Sequence, residues 1–524
     1  MEYYISVGLI ALAAILTAFA SVPTIKVLQL SGYKARGVVA WWKGTAFDAI
    51  VRYASLMLFG FITTLVFVAC MSSFEYVRYC GVAFYCIFAL LFIVFGGKGG
   101  SNKIKFTGRV MRLLVVDTVI MLGLGACVAY ATYYSMYCQT VIAALAMFAP
   151  FVAIVANFVT YPFEKLNNRR YIKRAKRKLA QRKPIVIGIT GSYGKTTAKN
   201  MLVAMLKDKY TVLATPGSFN TPMGICLTVN NNSLDEQVFI AELGARYRGD
   251  IKELCDIVSP KYGIITAVGD MHIQTMGSRA GVADTKFELA SALPSDGLLV
   301  LNGYNEDCAA LASRDTACEK MIAGKDGVTF DNLKFGASGT AFDMHADGAN
   351  YPVTAKLLGA HVPQLVCTCA TLALRLGADM PSIVRAVAEM QPVEHRLQLL
   401  PTDTPSVTVI DDAYNSNPVG AKNALDVLAM FDGSKVVITP GFVELGGIEK
   451  RCNTELGAQI AEKCDYAFLV GSRGADIKKG AVKAGMDESR IMQFASRGEA
   501  VDALKSVGGA VTVLFENDLP DNIK

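Results

Sequence analysis

Hydrophobic and polar positions divide the chain into two regimes. Up to residue 163 apolar residues run in long charge-free stretches, 3–25, 53–74, 79–97 and 118–163, separated by short charged segments. At ~1.5 Å of rise per residue, each of the first three is long enough to cross a hydrocarbon layer of ~30 Å, and the fourth is about twice the needed length. Breaking the fourth near 133–139 gives five transmembrane helices. A cleaved signal peptide is the other reading of the first stretch, but Glu2 makes its leading flank acidic and four further spans follow. From Pro184 onward the period changes. Short β-branched runs at 185–189, 238–243, 262–268, 298–301, 407–410, 435–439, 467–470 and 511–515 alternate with helical stretches, which predicts parallel α/β sheets. The Ala/Leu-rich segment 365–390 reads as a closing helical unit, with a boundary near 390–394.

Composition and charge sharpen this division. Of the 524 residues 52% are hydrophobic and 19% charged, and the mean hydropathy is +0.35; that is too apolar for a purely soluble enzyme or a disordered chain. Lys26, Lys34, Arg36 and Lys43 lie between the first two spans, and Lys98, Lys103, Lys105, Arg109 and Arg112 between the third and fourth, whereas 72–76 and 133–139 carry almost no positive charge. The asymmetry predicts a multi-pass cell-membrane protein, its N-terminus outside and everything beyond residue 164 cytoplasmic. The run 165–183 holds ten basic residues and no acid; directly after a span it reads as a juxtamembrane linker on anionic headgroups in preference to a nucleic-acid arm. A net charge of +7 argues against a nucleic-acid-coating protein. The 13 cysteines are scattered, with only Cys367 and Cys369 in a C-x-C, so neither a disulfide framework nor a zinc site is indicated. Asp117, at the edge of the fourth stretch, reads as interfacial or as a headgroup contact. The resulting organisation is a membrane domain over 1–164, a basic linker over 165–183, a central α/β domain over 184–393 and a C-terminal α/β domain over 394–524.

The strand 185–189 runs into Thr190-Gly191-Ser192-Tyr193-Gly194-Lys195-Thr196-Thr197 and then a helical segment. This is the context of a phosphate loop. Glycines let backbone amides turn toward anionic oxygens, the helix N-terminus adds its dipole, Lys195 can reach the β- and γ-phosphates of ATP and Thr196 can hold Mg²⁺. Ile189 stands where the longer loop form G-x-x-x-x-G-K-[ST] has its first glycine. A Gly-rich turn with a surface lysine is the bland alternative, and the coincidence of strand, glycines, Lys-Thr and helix argues against it.

The shorter form G-x-x-G-K-[ST], here Gly191 to Thr196, resembles the loop of the Mur ligase family. Further strings resemble its motifs in family order: Thr215-Pro216-Gly217-Ser218-Phe219-Asn220, Glu242-Leu243-Gly244-Ala245, Gly269-Asp270-Met271-His272, Gly277-Ser278 and Gly281-Val282-Ala283-Asp284-Thr285-Lys286-Phe287-Glu288, then Arg396-Leu397-Gln398, Asp411-Asp412-Ala413-Tyr414-Asn415-Ser416-Asn417-Pro418 and Val443-Glu444-Leu445-Gly446. The Asp-Asp-x-Tyr-Asn-x-Asn-Pro string is most similar to the branch that adds D-alanyl-D-alanine to the peptidoglycan precursor. The resemblance covers roughly 184–515. It implies a Mur-ligase-like P-loop ATPase central domain and a Rossmann-like C-terminal domain behind the α-helical membrane domain. It also implies a bacterial source and an ATP-dependent acid–amino-acid ligase that activates a carboxylate as an acyl phosphate and lets an amine displace phosphate. Charge must be neutralised where it develops.

The resemblance then assigns roles. Gly191, Ser192, Tyr193, Gly194, Lys195, Thr196 and Thr197 would hold the triphosphate. Thr196 and Glu242 would bind Mg²⁺, and His272 a second Mg²⁺. Lys286 matches the lysine that the family carries as a carbamate, an anion suited to the metal. Arg396 would reach the γ-phosphate, Asp412 the ribose, and Asn302 the adenine side. His345 and His395 read as surface or structural. Three departures bear on substrate. Membrane spans stand where the peptidoglycan-building members have a uridine-nucleotide-gripping domain. Gly359-Ala360-His361-Val362-Pro363-Gln364-Leu365 keeps the histidine of Gly-x-His-Asn-x-x-Asn without either asparagine, and Phe515-Glu516-Asn517-Asp518 replaces a late Lys-Gly-Ser. The expected partners are a cell-envelope precursor, UDP-linked or lipid-linked, an amino acid or dipeptide, and the membrane, with no nucleic acid. A poly-γ-glutamate-type synthetase, an ATP-driven transporter and a catalytically silent membrane module stay open as alternatives. The Leu-Ser-Gly-Gly-Gln string of ABC transporters is absent.

Overall fold

The computed structural model describes residues 21–30, 33, 104–131, 149–402, 404–414, 416–443, 445–471 and 473–517. The chain forms two compact units that meet in sequence near residue 170.

In the first unit the helices Val22–Leu30, Gly108–Ala131 and the leading part of Ala149–Arg182 are described. Ile25, Leu28, Val110, Leu113 and Ala153 make a shared buried core. Among the described residues one helix, over Gly108–Cys127, is long and apolar enough to cross a membrane. The expected spans at 53–74 and 79–97, most of 3–25, and the break at 133–139 lie outside the described residues. The helix Val22–Leu30 runs past the expected end at residue 25 and carries Lys26. Arg109 and Arg112, expected in a connection, lie in the first turns of a helix; Glu164 sits 2.7 Å from Arg112 and matches its charge. The basic segment, expected as a linker, is helical, because Ala149–Arg182 is one helix of 34 residues that includes Pro162. Arg and Lys are good helix formers, and Ile172, Ala175 and Leu179 recur at helical spacing to pack into the second unit's core.

In the second unit the first sheet is wholly parallel, with strand order β2-β3-β1-β4-β5-β6. Its strands are β1 (Ile185–Thr190), β2 (Val212–Ala214), β3 (Val238–Glu242), β4 (Tyr262–Ile265), β5 (Leu298–Asn302) and β6 (Glu319–Ala323). Both faces are covered. Ile187, Ile189, Ile240, Ile264 and Val300 join one core with Met201, Leu202 and Leu372, while Val186, Phe239, Ala241, Ile265 and Leu299 join another with Leu254, Val282 and Leu289. Burial on both sides is why these strands read as unbroken apolar runs. Each fully buried aliphatic side chain contributes ~1.5–3 kcal/mol, enough in aggregate to offset the buried charges at the end of this sheet. β1 pairs with β3 on one side and β4 on the other, so the chain reverses its winding there, and ligands of open α/β sheets bind at such a switch point.

Three features escaped the sequence pattern. β2 and β6 are short or half-exposed edge strands. The strands β7 (Thr329–Gly336), β8 (Gly339–Ala346) and β9 (Ala349–Ala355) form a separate antiparallel sheet. The closing helical unit is two helices, Val362–Arg375 and Met380–Glu389, divided where Gly377 takes φ 82°.

The second sheet has the order β10-β11-β15-β12-β13-β14, comprising β10 (Gln398–Leu400), β11 (Val407–Asp412), β12 (Ser434–Thr439), β13 (Tyr466–Val470), β14 (Ile491–Phe494) and β15 (Val511–Glu516). Only β10 is antiparallel. Register sets Asp412 beside Glu516. The described cysteines are free thiols: Cys226, Cys255, Cys308 and Cys318 lie in one core of the first sheet, Cys367 and Cys369 in the other, and Cys452 in the C-terminal core.

Candidate active site

The loop after β1 is shaped by two glycines. Gly191 has φ 153°, and a Cβ there would lie 2.0 Å from Thr266 Oγ1 and 3.0 Å from the Ala267 amide nitrogen. Gly194, at φ 79°, caps the helix Lys195–Leu206. Ser192 N donates to Ala267 O at 2.8 Å, Gly269 N donates to Ser192 Oγ at 3.0 Å, and the Tyr193 hydroxyl accepts from Asn305 Nδ2 at 3.1 Å. The first helical bond runs from Ala198 N to Gly194 O at 2.8 Å. Helix geometry therefore leaves the amides of Lys195, Thr196 and Thr197 without intrahelical acceptors, as an anion site requires.

A charged cluster lies at the end of the loop. Lys195 Nζ donates to Gly191 O at 2.8 Å and Ser192 O at 3.3 Å. Burial pulls this ammonium down to about 8, with Glu242 opposing the drop and Arg396 adding to it. Thr196 Oγ1 donates to Glu242 Oε2 at 2.9 Å, Lys199 Nζ lies 3.3 Å from the same oxygen, and Asn220 Nδ2 donates to Glu242 Oε1 at 3.1 Å. Lys199 also donates to Gly217 O. Lys199 and Glu242 are 2% and 1% exposed, so each would cost several kcal/mol without the other. From the second sheet's side Arg396 Nη2 donates to Thr196 Oγ1 at 3.4 Å, its guanidinium 4.6 Å from the centre of the Tyr414 ring. Lys286, buried on the helix Arg279–Ala292, is pulled down to about 7 by burial first and the Lys195 charge second. A neutral amine is the form that combines with CO₂.

The structure thus links Arg396, Thr196 and Glu242 by hydrogen bonds, with Lys195 in electrostatic reach of Glu242 and Arg396, and Lys286 in electrostatic reach of Lys195. Asp412 also lies in electrostatic reach of Arg396. Asn302 gives both amide atoms to backbone, donating to Thr266 O at 2.8 Å and accepting from Tyr304 N at 3.1 Å. His272, at φ 61°, caps the short helix Ile273–Met276, and its carbonyl accepts from Thr275 N at 3.0 Å. Asp412 Oδ1 accepts from Leu397 N at 3.2 Å; burial raises its carboxyl to about 6. Lys199 was not anticipated. Its signal was positional, since it follows Lys195 by four residues and shares its helix face, but a lone lysine in a helix carries no chemistry until the fold sets Glu242 beside it.

Among the described residues no three His, Cys, Asp or Glu side chains gather as a metal site. Mg²⁺ nevertheless suits the donors present. The Thr196 hydroxyl and the Glu242 carboxylate are hard oxygens, and Mg²⁺ takes few protein ligands and fills its shell with phosphate oxygens and water. The three cations Lys195, Lys199 and Arg396 around the single carboxylate of Glu242 leave an excess of positive charge that a polyphosphate would balance.

Comparisons with known proteins agree with this geometry. Residues 189–372 match the Mur ligase middle domain, and 395–516 match the Mur ligase glutamate ligase domain. The chain is similar to the UDP-N-acetylmuramoyl-tripeptide–D-alanyl-D-alanine ligase of Bacillus subtilis (strain 168), with 29% identity over 61% of this chain and 70% of that protein. It is similar to the ligase of the same name from Mycobacterium tuberculosis (strain H37Rv), with 36% identity over 47% of this chain and 48% of that one. The chain therefore spans between about half and seven tenths of those relatives. In fold it is similar to the MurF ligase of Thermotoga maritima in complex with ADP, at TM-score 0.59 and 23% identity over 67% of this chain and 80% of that one.

Proposed function

The chain belongs to the Mur ligases, ATP-dependent ligases whose middle and C-terminal domains it carries, and on that premise we propose that it joins the carboxylate of a peptidoglycan precursor to the amine of an amino acid or dipeptide. The observation that carries this reading is the chain of hydrogen bonds at the phosphate loop in which Arg396, just ahead of the second sheet, donates to Thr196 and Thr196 donates to Glu242. In it Lys195 and the amides of 195–197 bind the triphosphate, Arg396 neutralises the transferred phosphoryl group, and Asp412 and Asn302 serve the ribose and adenine sides. Thr196 and Glu242 would hold Mg²⁺, with His272 and a carbamylated Lys286 toward a second ion; the metal would supply charge neutralisation at the transferring phosphoryl oxygens. The carboxylate takes the γ-phosphoryl group and releases ADP; the incoming amine then attacks the acyl-phosphate carbonyl, and the C–O bond breaks to expel inorganic phosphate as the amine loses a proton.

The proposal extends to location. The apolar stretches before residue 164, the helix over Gly108–Cys127 with mean hydropathy 2.0 and the basic residues of Ala149–Arg182 support a membrane-anchored enzyme with its catalytic domains in the cytoplasm. Anchoring favours a lipid-linked carboxylate over a soluble uridine nucleotide, because tethering to the substrate's own surface raises effective concentration, to the mM range by analogy with short linkers, which offsets the loss of a dedicated binding domain. The full chain in detergent is offered UDP-linked and lipid-linked precursors at equal concentration with labelled alanine or alanyl-alanine. Ligation to the lipid-linked precursor with ATP consumption is expected. Ligation to the soluble one alone removes the lipid-linked reading, and no ATP-dependent ligation to either removes the ligase reading. A cysteine introduced at Ser135 should be labelled on intact cells; labelling only after lysis reverses the topology.

A further inference from the structure

Arg396 is the middle residue of a left-handed bend. His395 has φ 58° and Leu397 φ 47°, conformations that a residue with a Cβ adopts at a cost equivalent to about ten-fold in population each. Such a bend persists only if neighbours hold it. Within the segment itself Arg396 N donates to Val393 O at 3.1 Å and His395 N to Gln398 Oε1 at 3.4 Å; the remaining holders come from one string. Asp411 Oδ2 lies 2.6 Å from His395 Nδ1; a carboxylate only accepts, so Nδ1 carries the hydrogen. Asp412 Oδ1 accepts from Leu397 N at 3.2 Å. Tyr414 N donates to His395 O at 3.3 Å, and its ring lies under the Arg396 guanidinium at 4.6 Å.

We propose that Asp411, Asp412 and Tyr414 form a clamp that holds 395–397 in this bend and thereby aims Arg396 at the phosphate loop, with Asp411 and His395 as positioning residues for the ligase reaction. The clamp is itself anchored. Asp411 is 3% exposed while the His395 ring is 56% exposed, so the acid is the fixed member and the imidazole the held one. Asp411 Oδ1 accepts from Ala413 N at 3.1 Å, and Gln398 of β10 pairs directly with Asp411 of β11. The inference rests on the reading that Arg396 acts on the transferred phosphoryl group, and explains why two adjacent acids precede the tyrosine: one holds each flank of the arginine.

The test measures phosphate release by the full chain in detergent for Asp411→Ala, Arg396→Ala and the double variant. Asp411→Ala should lose about ten-fold in kcat with KM for ATP little changed, and the double variant should be no slower than Arg396→Ala alone. Adding His395→Gly to Asp411→Ala should recover part of the loss, because glycine takes the left-handed region without penalty. Losses that multiply in the double variant, or wild-type turnover by Asp411→Ala, overturn the clamp. If Asp411→Ala does not fold, Asp411→Asn is put through the same comparison with Arg396→Ala. Amide hydrogen exchange over 394–398 separates the two ideas: it should quicken in the Asp411 variants whether or not Arg396 matters to turnover, and unchanged exchange rejects the clamp. Wild-type activity of Arg396→Ala with quickened exchange in the Asp411 variants sinks only the reading of Arg396.

Discussion

The two sides of the candidate site reach unusual backbone conformations by opposite means. On the phosphate-loop side the positive φ values belong to Gly191 and Gly194, residues for which that region is freely open. On the arginine side they belong to His395 and Leu397, each at a cost of ~1–2 kcal/mol. The loop therefore takes its backbone conformation without penalty, and Ala267, Gly269 and Asn305 only add hydrogen bonds to it. The arginine bend depends on side chains of the next strand. A turn built on glycine carries no strain to be held, whereas a clamped one fails when any of its holders is lost.

The comparison can be broken most directly at Lys195. Lys195→Ala should abolish phosphate release by on the order of 10²–10³-fold with little change in melting temperature, because the side chain rests on its own loop's carbonyls. A variant retaining more than a small fraction of wild-type turnover would remove the loop from the mechanism.

Next in size is Lys286. Lys286→Ala should fall about a hundred-fold, recover with a short carboxylic acid, and match a wild type that slows when bicarbonate is stripped from the buffer; full turnover without rescue eliminates the carbamate. The same group predicts a pH slope. Its folded value of about 7 lies below the ordinary 10.5, so between these values the unfolded chain binds a proton that the native one does not, and stability rises with pH. Lys195, at about 8, adds to that rise. Melting followed from pH 7 to 9.5 should show the increase in wild type, flattened in Lys286→Met.

Lys199→Met probes the buried pair. Leaving Glu242 uncompensated should cost about 3 kcal/mol in the free protein, and much less with Mg²⁺ and ADP present, because the metal then matches the carboxylate. Equal destabilisation under both conditions would show that Lys199 answers no site charge.

The smallest effect belongs to the arginine side. Burial, and then Asp412, hold the Glu516 carboxyl well above the usual range, so the native chain keeps a proton that the unfolded one loses near pH 4.5 and stability falls as pH rises past that value. Glu516→Gln should shrink that decline to the share that Asp412, raised to about 6 chiefly by burial, contributes, while leaving kcat within about two-fold, a change of under 1 kcal/mol. A larger loss of turnover would mean that Glu516 supports the clamp through Asp412.

Much of this was legible in the sequence, for reasons that differ by residue. β1, β3, β4 and β5 announced themselves because both of their faces are buried, and the loop because Gly191, Gly194, Lys195 and Thr196 are contiguous. β7, β8 and β9 were silent, since half-exposed strands such as Thr329–Gly336 mix Asp331, Asn332 and Lys334 with apolar residues. Helix ends moved where capping overrode composition: the segment expected to begin at residue 365 starts at Val362, with Pro363 in the first turn. Within the site, Lys199 and His395 were missed because their partners, Glu242 and Asp411, are distant in sequence. His395 read as surface, which its exposure bears out, while the buried acid behind it was visible only in three dimensions.

The free thiols give the molecule its own clock. Burial pushes Cys255, Cys308 and Cys367 up to about 12 and Cys226 to about 11, and a thiol without its thiolate does not alkylate. Each becomes reactive only when its own layer opens. Cys226, Cys255 and Cys308 mark one face of the first sheet, Cys367 the other, and Cys452 the C-terminal core. A timed pulse of alkylating reagent, read peptide by peptide in a mass spectrometer, would therefore record the order in which the layers come apart, with no label introduced.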